Sequence, residues 1–285
     1  MRITSLGKCL AIACAITSAD AAFAPIMPAA HAASLYAIPK YAAILVNSDT
    51  GEVLYARQAD AVRFPASITK VMTLYVAFQE LRDGNIRDSD LIRISTFASR
   101  QPPSKLGLRP GEKISVREAM AIIATKSAND IAVALAEYIS GSEEAFADRM
   151  TREARRLGMS RTRFVNATGL PNPDHVTTAR DIATLSRAVI REFPRRYALF
   201  SQVAVEYEGR QIDNHNHLLK TVPGVDGIKT GYTVAAGFTL AASAAHDGVR
   251  LIAVVLGGPS RLTRDTNVTE LLDTGCNVLS RRARP

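Results

Sequence analysis

Strand-like and helix-like segments are separated along this chain of 285 residues, and that separation is the strongest constraint on its fold. Short apolar runs bounded by turn residues predict strands near both ends, whereas helical periodicity fills the middle. The predicted strands are residues 41–46, 52–57, 203–207, 227–230, 238–244 and 251–256. The last four follow one another at turn-separated intervals, which favours antiparallel neighbours. We therefore predict an α/β (α+β) fold: an antiparallel sheet flanked by helices, with an inserted and mostly helical lobe.

The domain organisation follows from this order of elements. We place an α/β lobe at about residues 33–92 and 196–285, and the helical lobe at about 93–195, as parts of one domain. Within the helical lobe, Ser115-x-x-Glu118 and Thr178-x-x-Asp181 are predicted to cap helices. Residues 164–173 are predicted to form a loop, and a closing helix is expected from about residue 264 to 279.

Residues 1–32 have the pattern of a secretion signal rather than of a folded element. Arg2 and Lys8 make the start basic, Cys9 to Ala22 is mostly apolar, and Ala30-His31-Ala32 is a small-residue cleavage site. We expect the exported chain to begin at residue 33, in the periplasm or outside the cell. A lipid anchor on Cys14 is the alternative. No later apolar run reaches the ~20 residues that a membrane-spanning helix needs.

The net charge limits the molecules that this protein can bind, and the cysteine count limits its disulfide bonds. Without the signal, 33 Lys and Arg stand against 26 Asp and Glu, a net charge of +7. Such a protein is attracted to anionic polymers or surfaces of the cell envelope. Export and the scattered arginines argue against nucleic acid. Cys276 is the only cysteine left, so the fold has no intramolecular disulfide, and we expect a buried structural thiol.

The segment Phe64–Thr73 joins a proline turn to an apolar-periodic helix. Pro65 is favoured at a first helical position, so Ser67 is expected in the opening turn, where free N–H groups favour a developing negative charge. Lys70 follows on the same helix face. A Ser beside a Lys amine is a base-activated nucleophile. The spacing alone is not diagnostic, because Ser5-Leu6-Gly7-Lys8 shares it.

Two further motifs contain polar side chains that could assist a serine nucleophile. Ser127-Ala128-Asn129 lies at a break between two predicted helices, where a hydroxyl and an amide can face a cleft; the plain alternative is a helix cap. Lys229-Thr230-Gly231 enters a predicted strand. There a substrate backbone could lie against the side-chain-free Gly while its carboxylate meets the cation.

In this order the three motifs resemble the S-x-x-K, S-x-N and K-T-G set of penicillin-binding proteins and serine β-lactamases. Other segments are similar to the D-alanyl-D-alanine carboxypeptidases, the low-molecular-mass penicillin-binding proteins: Phe164-x-Asn166-x-Thr168-Gly169-Leu170-Pro171, Asn214-x-Asn216-x-Leu218-Leu219, Gly227–Thr233 and Leu256-Gly257-Gly258. The resemblance implies a β-lactamase/transpeptidase-like fold. It also implies a serine peptidase that trims terminal D-alanine from peptidoglycan stem peptides and is labelled covalently by β-lactam antibiotics.

The resemblance also implies a role for each site residue. Ser67 would be the acylated nucleophile and Lys70 its general base, while Ser127 relays a proton to the leaving amine and Asn129 orients the substrate amide. The N–H groups of Ser67 and Tyr232 would form the oxyanion hole. The substrate carboxylate and backbone would be bound by Lys229, Thr230, Gly231 and Arg264.

Three alternatives stay open at this point. Family members often continue into a small β-rich domain and an amphipathic membrane anchor, whereas this sequence ends at Pro285. We therefore expect no C-terminal β domain and no clear membrane anchor, a pattern that D,D-endopeptidases share. A β-lactamase would need a Glu base four residues before Asn166, where this chain has Thr162. A non-catalytic peptidoglycan-binding module is disfavoured by the intact Ser67 and Lys70 pair.

Two minor features complete the analysis. His215 and His217 have a metal-like spacing, but no third ligand is evident nearby, so we predict no metal and no cofactor. His215 is instead expected near the carboxylate end of the cleft. Arg281, Arg282 and Arg284 form a short basic tail, which we interpret as solvated.

Overall fold

The computed structural model describes residues 40–246 and 248–282, so the predicted signal lies outside the described residues. Its strands are β1 Ala42–Asn47, β2 Val53–Arg57, β3 Leu91–Arg93, β4 Lys113–Ser115, β5 Ala204–Tyr207, β6 Arg210–Asp213, β7 Val225–Thr233, β8 Gly237–His246 and β9 Val249–Gly258. Five of them form the main sheet in the order β2-β1-β9-β8-β7, with every neighbouring pair antiparallel. The first and last parts of the chain therefore share one sheet.

The α-helices are α1 Thr69–Arg82, α2 Thr96–Ser99, α3 Val116–Thr125, α4 Asn129–Ser140, α5 Glu143–Arg156, α6 Ala179–Glu192, α7 Pro194–Tyr197, α8 Leu218–Thr221 and α9 Arg261–Arg282. Most lie between β2 and β5, as an insertion in the sheet. The predicted fold class, an antiparallel sheet with an inserted helical lobe, is confirmed. In the described part of the chain, no helix is long and apolar enough to span a bilayer.

One strand prediction was wrong in its pairing. The segment predicted at residues 203–207 does form β5, but β5 does not join the main sheet. It pairs with β6 in a separate two-stranded hairpin, where Val205 faces Ile212. A four-residue strand needs only one partner, and β6 follows at once through the Glu208-Gly209 turn. The local hairpin therefore forms in preference to a distant edge of the sheet.

Both faces of the sheet are covered because its residues alternate. Along β1, Ile44 points into the large core with the helical lobe, whereas Leu45 points to the opposite face. There Val268 and Leu272 of α9 complete a second cluster, against which the half-buried Cys276 packs.

Helix α1 is the centre of the molecule. Twelve consecutive residues, from Thr69 to Glu80, are buried. A helix enclosed on all sides is held rigidly, because every face has packing partners. The N-terminus of α1, where the candidate nucleophile stands, is therefore a fixed point.

The helix starts predicted from capping patterns are confirmed. Ser115 and Glu118 form a reciprocal capping box at the start of α3. Thr178 caps α6 by accepting from the Asp181 N–H. These caps fix the ends of helices, and α3 leads directly to Ser127.

Candidate active site

Ser67 stands in a tight turn just before α1. Residues Ala66–Ile68 form a 3₁₀ turn whose N-cap is Pro65, and the α-helix begins at Thr69. Pro65 thus lies outside the helix, and not at the first helical position that its residue type had suggested. Ala66 has a φ of +49°, a conformation that costs a non-glycine residue energy and that the surrounding packing must sustain.

The Lys70 side chain is fully buried behind Ser67. Its Nζ donates to Ser67 Oγ at 3.1 Å, to Asn129 Oδ1 at 2.7 Å and to the Thr168 carbonyl at 2.7 Å. All three acceptors are neutral. Burial, and then the Lys229 charge, hold the pKa of Lys70 well below its usual range. An amine in this state can accept a proton from the hydroxyl beside it.

The break between α3 and α4 presents Ser127 and Asn129 to the same place. Ser127 has a φ of +63°, and its buried Oγ has no hydrogen-bond partner in residues 40–246 and 248–282. Asn129 is fixed from two sides, because its Nδ2 donates to the Pro102 carbonyl at 2.9 Å while its Oδ1 accepts from Lys70. The unpartnered Ser127 hydroxyl is therefore available to a ligand in the cleft.

Strand β7, at the edge of the main sheet, places Lys229 next to Arg264 of α9. Lys229 is buried, and its Nζ donates to the Thr230 carbonyl at 3.2 Å. Burial and the neighbouring Arg264 lower the pKa of Lys229 to about 7. Asp265 accepts from the Arg264 guanidinium at 2.6 and 2.9 Å, which orients it. Two adjacent buried cations form a site for an anion.

Gly231 lets strand β7 approach the turn that contains Ser67. A Cβ at Gly231 would lie 2.6 Å from Thr239 Oγ1 and 2.8 Å from Ser67 N. Both distances are shorter than real Cβ contacts, so only glycine fits here. The following residue, Tyr232, is more than half exposed, and its ring packs on Phe238 with centroids 4.3 Å apart.

These residues meet in one cleft of about 360 Å³. Of the predicted site residues, Ser67, Ser127, Asn129, Thr230, Gly231, Tyr232 and Arg264 line it, while Lys70 and Lys229 lie buried beneath its surface. In the described part of the chain, no Asp or Glu lines the cleft. His215 and His217 line it too, and no group of three potential metal-ligating side chains occurs in that part.

The third acceptor of Lys70 was not foreseen from the sequence. The loop at 164–173 carries a family signature, but the group that matters is the Thr168 carbonyl, a backbone atom without a side-chain signal. Asn166 Oδ1 accepts from the N–H groups of Thr168 and Gly169, at 3.1 and 2.7 Å. Gly169 has a φ of +82°, and a Cβ there would lie 1.8 Å from the Ala66 carbonyl oxygen. The Asn-x-Thr-Gly pattern therefore shapes this loop around the turn Ala66–Ile68.

His175 was also missed, and it ties the same loop to α1. It is fully buried; Val165 N donates to its Nδ1 at 3.1 Å, so Nε2 carries the proton and donates to Thr69 Oγ1 at 2.7 Å. Burial, and then the Lys70 charge, lower the pKa of His175 to about 3. A neutral histidine thus connects the loop to the residue preceding Lys70.

Comparison with known proteins agrees with this geometry. The sequence model of the D-alanyl-D-alanine carboxypeptidase family matches residues 28–260. The chain belongs to this family. It is 39% identical over 237 residues to D-alanyl-D-alanine carboxypeptidase DacF of Bacillus subtilis, covering 81% of this chain and 60% of that protein. It is 35% identical to DacA of Escherichia coli, covering 81% of this chain and 59% of that relative. The chain thus spans about 60% of the length of these curated relatives.

Solved structures of penicillin-binding proteins have the same fold. Penicillin binding protein 5 from Haemophilus influenzae superposes with a TM-score of 0.80 at 34% identity, covering 83% of this chain and 70% of that one. Penicillin-Binding Protein D2 from Listeria monocytogenes, solved in its cefotaxime-bound form, gives 0.75 at 30% identity and covers 82% and 96%. The β-lactamase/transpeptidase-like fold expected for the family is therefore confirmed.

The position expected to carry a β-lactamase base is occupied differently in this family member. Thr162 is fully buried, and its hydroxyl donates to Asp181 Oδ2 at 2.6 Å. Neither side chain lines the cleft. Asp181 also accepts from the Arg161 N–H at 3.0 Å, so its carboxylate is used to fix the loop at the start of α6.

We predict that His175 contributes to acid sensitivity. Its pKa is about 3 when folded and close to 6.5 when unfolded, so between these values only the unfolded chain binds the proton. Stability therefore falls as pH drops below 6.5, by up to about 1.4 kcal/mol per pH unit from this residue. His175→Gln, which can still donate and accept, should lose stability less steeply than the wild type. Urea unfolding at pH 7, 6 and 5 measures the slopes.

His217→Gln is the matched control, because His217 is exposed at the rim of the cleft. Its unfolding free energy should follow the wild-type slope with pH. Parallel curves for His175→Gln and the wild type would contradict a neutral buried His175.

Proposed function

We propose that this protein is a serine-type D-Ala-D-Ala carboxypeptidase that removes terminal D-alanine from peptidoglycan stem peptides. The observation that carries the proposal is the fully buried Lys70 amine, 3.1 Å from Ser67 Oγ and surrounded by neutral acceptors. Burial favours the uncharged form of such an amine, and an uncharged amine can deprotonate the serine. The family match and the relatives named as D-alanyl-D-alanine carboxypeptidases support the same assignment.

The acylation step follows from the positions of the side chains. Lys70 takes the Ser67 proton as Oγ attacks the carbonyl of the penultimate D-alanine. The developing oxyanion is stabilised by the N–H groups of Ser67 and Tyr232. When the C–N bond breaks, Ser127 gives its hydroxyl proton to the leaving amine and receives the proton held by Lys70, so D-alanine departs with an intact amino group and both side chains regain their starting states. An ester to Ser67 remains, and water hydrolyses it to regenerate the hydroxyl.

Recognition of the substrate rests on its terminal carboxylate. Lys229 and Arg264 supply buried positive charge and Thr230 supplies a hydroxyl at one end of the cleft. Asn129, which also lines the cleft, orients the substrate amide. No carboxylate of the described residues lines the cleft to compete with the ligand. The same groups would receive the carboxylate of a β-lactam antibiotic, which we propose acylates Ser67 in place of the peptide.

We expect Ser67 to be the site labelled by penicillin. Ser67→Ala should abolish covalent labelling, and Lys70→Arg should slow it by several orders of magnitude, because a guanidinium stays protonated and cannot act as a base. Intact-protein mass spectrometry against time after penicillin addition measures both effects.

Ser89→Ala is a matched control, because Ser89 is an exposed serine that does not line the cleft. It should not alter labelling. A Lys70→Arg variant that labels as fast as the wild type would show that Lys70 is not the base.

A second prediction concerns the carboxylate site. Its charge-assisted hydrogen bonds should contribute about 1.5–3 kcal/mol each. Amidating the C-terminus of a D-Ala-D-Ala peptide should therefore lower kcat/KM about tenfold or more for each such bond that the amide cannot form. Steady-state kinetics on paired acid and amide peptides measure this ratio. In Arg264→Gln the ratio of kcat/KM on the acid to that on the amide should be smaller. An unchanged ratio would show that Arg264 does not bind the carboxylate.

We further propose that the protein acts in the cell envelope after export. The basic start, apolar run and Ala30-His31-Ala32 site support cleavage after residue 32, and a peptidoglycan substrate requires that location. N-terminal mass analysis of the secreted or periplasmic form should give a first residue near Ala33. A retained N-terminus, or a lipid on Cys14, would contradict processing at this site.

A further inference from the structure

Ala167, the residue before the Thr168 carbonyl that contacts Lys70, is held by a hydrogen bond on each side of its backbone. Its N–H donates to Glu143 Oε1 at 3.0 Å, and its carbonyl accepts from Thr73 Oγ1 at 2.7 Å. Thr73 is fully buried on α1, three residues after Lys70 and therefore on the same helix face. The two bonds fix the backbone immediately before the carbonyl that accepts from the Lys70 amine.

Glu143 is the first residue of α5, and Ser142 is the N-cap before it. An acidic side chain in the first turn of a helix is stabilised by the partial positive charge of the free N–H groups. Glu144 lies in the same turn and satisfies this preference equally well. Glu143 differs because it is half-buried and accepts from the loop at Ala167, whereas Glu144 is exposed. Stabilisation of the helix start therefore does not explain the position of Glu143.

The carboxylate of Glu143 also acts on the charge of Lys70. Burial, and then the Lys229 charge, lower the pKa of Lys70, whereas the carboxylates of Glu143 and then Asp130 raise it. In return, burial raises the pKa of Glu143, while the hydrogen bond from Ala167 and the Lys70 charge lower it. Glu143 and Lys70 thus stabilise each other's charged form.

Asp130, the second carboxylate that acts on Lys70, is used to fix a different loop. It accepts from Leu106 N at 2.9 Å and from Gly107 N at 2.8 Å. The other titratable side chains that interact with the Lys70 charge are Lys229, His175 and His215. Burial lowers the pKa of the two histidines to about 3 and about 4, so both are neutral near pH 7. Glu143 therefore supplies the larger opposite charge.

Glu143 also lines a groove of about 670 Å³ outside the catalytic cleft. The other charged residues that line this groove are Glu137, Glu144, Asp148, Arg163 and Asp174. Arg163 and Asp174 pair with each other at 3.5 Å. After burial, the like charge of Glu137 also raises the pKa of Glu143. None of these side chains, nor Glu143 itself, lines the catalytic cleft.

We propose that Glu143 is a positioning residue for acylation: its carboxylate holds the loop so that the Thr168 carbonyl faces Lys70, and its negative charge stabilises the ammonium that Lys70 becomes on taking the Ser67 proton. The inference rests on the proposed function, in which Lys70 is the base. Glu143 itself takes no proton and touches no substrate. Because the hydrogen-bond partners of Lys70 are neutral, an opposite charge beyond them is what offsets the buried ammonium.

Three variants of the full-length protein separate the two roles. Glu143→Gln keeps an oxygen that can accept from Ala167 N but removes the charge. Thr73→Val removes the other hydrogen bond to Ala167 and leaves the Glu143 charge in place. Glu144→Gln removes the neighbouring charge in the same helical turn and is the matched control. The rate of acylation by penicillin is measured by intact-protein mass spectrometry from about pH 6 to pH 10, and urea unfolding confirms that each variant is folded.

The acylation rate should rise with pH as Lys70 loses its proton, because only the unprotonated amine is a base. Without the Glu143 charge the ammonium form is less stable, so the rising limb of Glu143→Gln should move to lower pH, with a plateau about threefold below that of the wild type. Thr73→Val should lower the plateau about tenfold, because the loop carbonyl is less well placed. Glu144→Gln should match the wild type in both limb and plateau.

A limb for Glu143→Gln that coincides with that of the wild type, or that moves to higher pH, would overturn the inference. The same movement in Glu144→Gln would overturn it too, because the effect would then belong to any charge at this helix start. Thr73→Val that acylates as fast as the wild type would contradict the positioning of the loop. Wild-type protein that penicillin does not acylate at any pH would instead refute the proposed function.

Discussion

The burial of the Lys70 amine is the interaction on which the rest of this site depends. A fully buried lysine is stable only if its charge is paired or given up, and here its three hydrogen-bond partners are neutral oxygens. Burial therefore lowers the pKa of the amine and favours its unprotonated form, which can accept a proton. Two of these oxygens, from Asn129 and Thr168, come from parts of the chain far from Lys70 in sequence, so this environment of the amine exists only when the fold is complete.

The fold brings these groups together by packing three separate segments against one rigid central helix. Helix α1 is enclosed by the core and, with the turn before it, holds Ser67 and Lys70. The α3–α4 break, the loop around Thr168 and the edge strand β7 reach its N-terminus from three directions. Close approach is permitted by glycine at two points, Gly169 against Ala66 and Gly231 against Ser67, where any side chain would collide with backbone.

Charge has a consistent sign around the site. The end of the cleft proposed to bind the substrate carboxylate has the buried side chains of Lys229 and Arg264, and no Asp or Glu of the described residues lines the cleft. Burial, and then the neighbouring Arg264, lower the pKa of Lys229 to about 7, and an incoming carboxylate would offset this destabilisation of the lysine charge. An anionic ligand therefore stabilises the arrangement that binds it, as expected for a pre-organised site.

The sequence by itself determined most of the elements and the candidate catalytic residues. Apolar periodicity located most strands and helices, capping residues such as Ser115 fixed helix starts, and three short motifs identified Ser67, Lys70, Ser127 and Lys229, because these signals are local. Only the tertiary structure decided that β5 pairs with β6 rather than with the main sheet, that the Thr168 carbonyl contacts Lys70, and that His175 joins the loop to α1. Those contacts link distant segments, and backbone carbonyls and buried partners leave no periodic or motif signal in the chain.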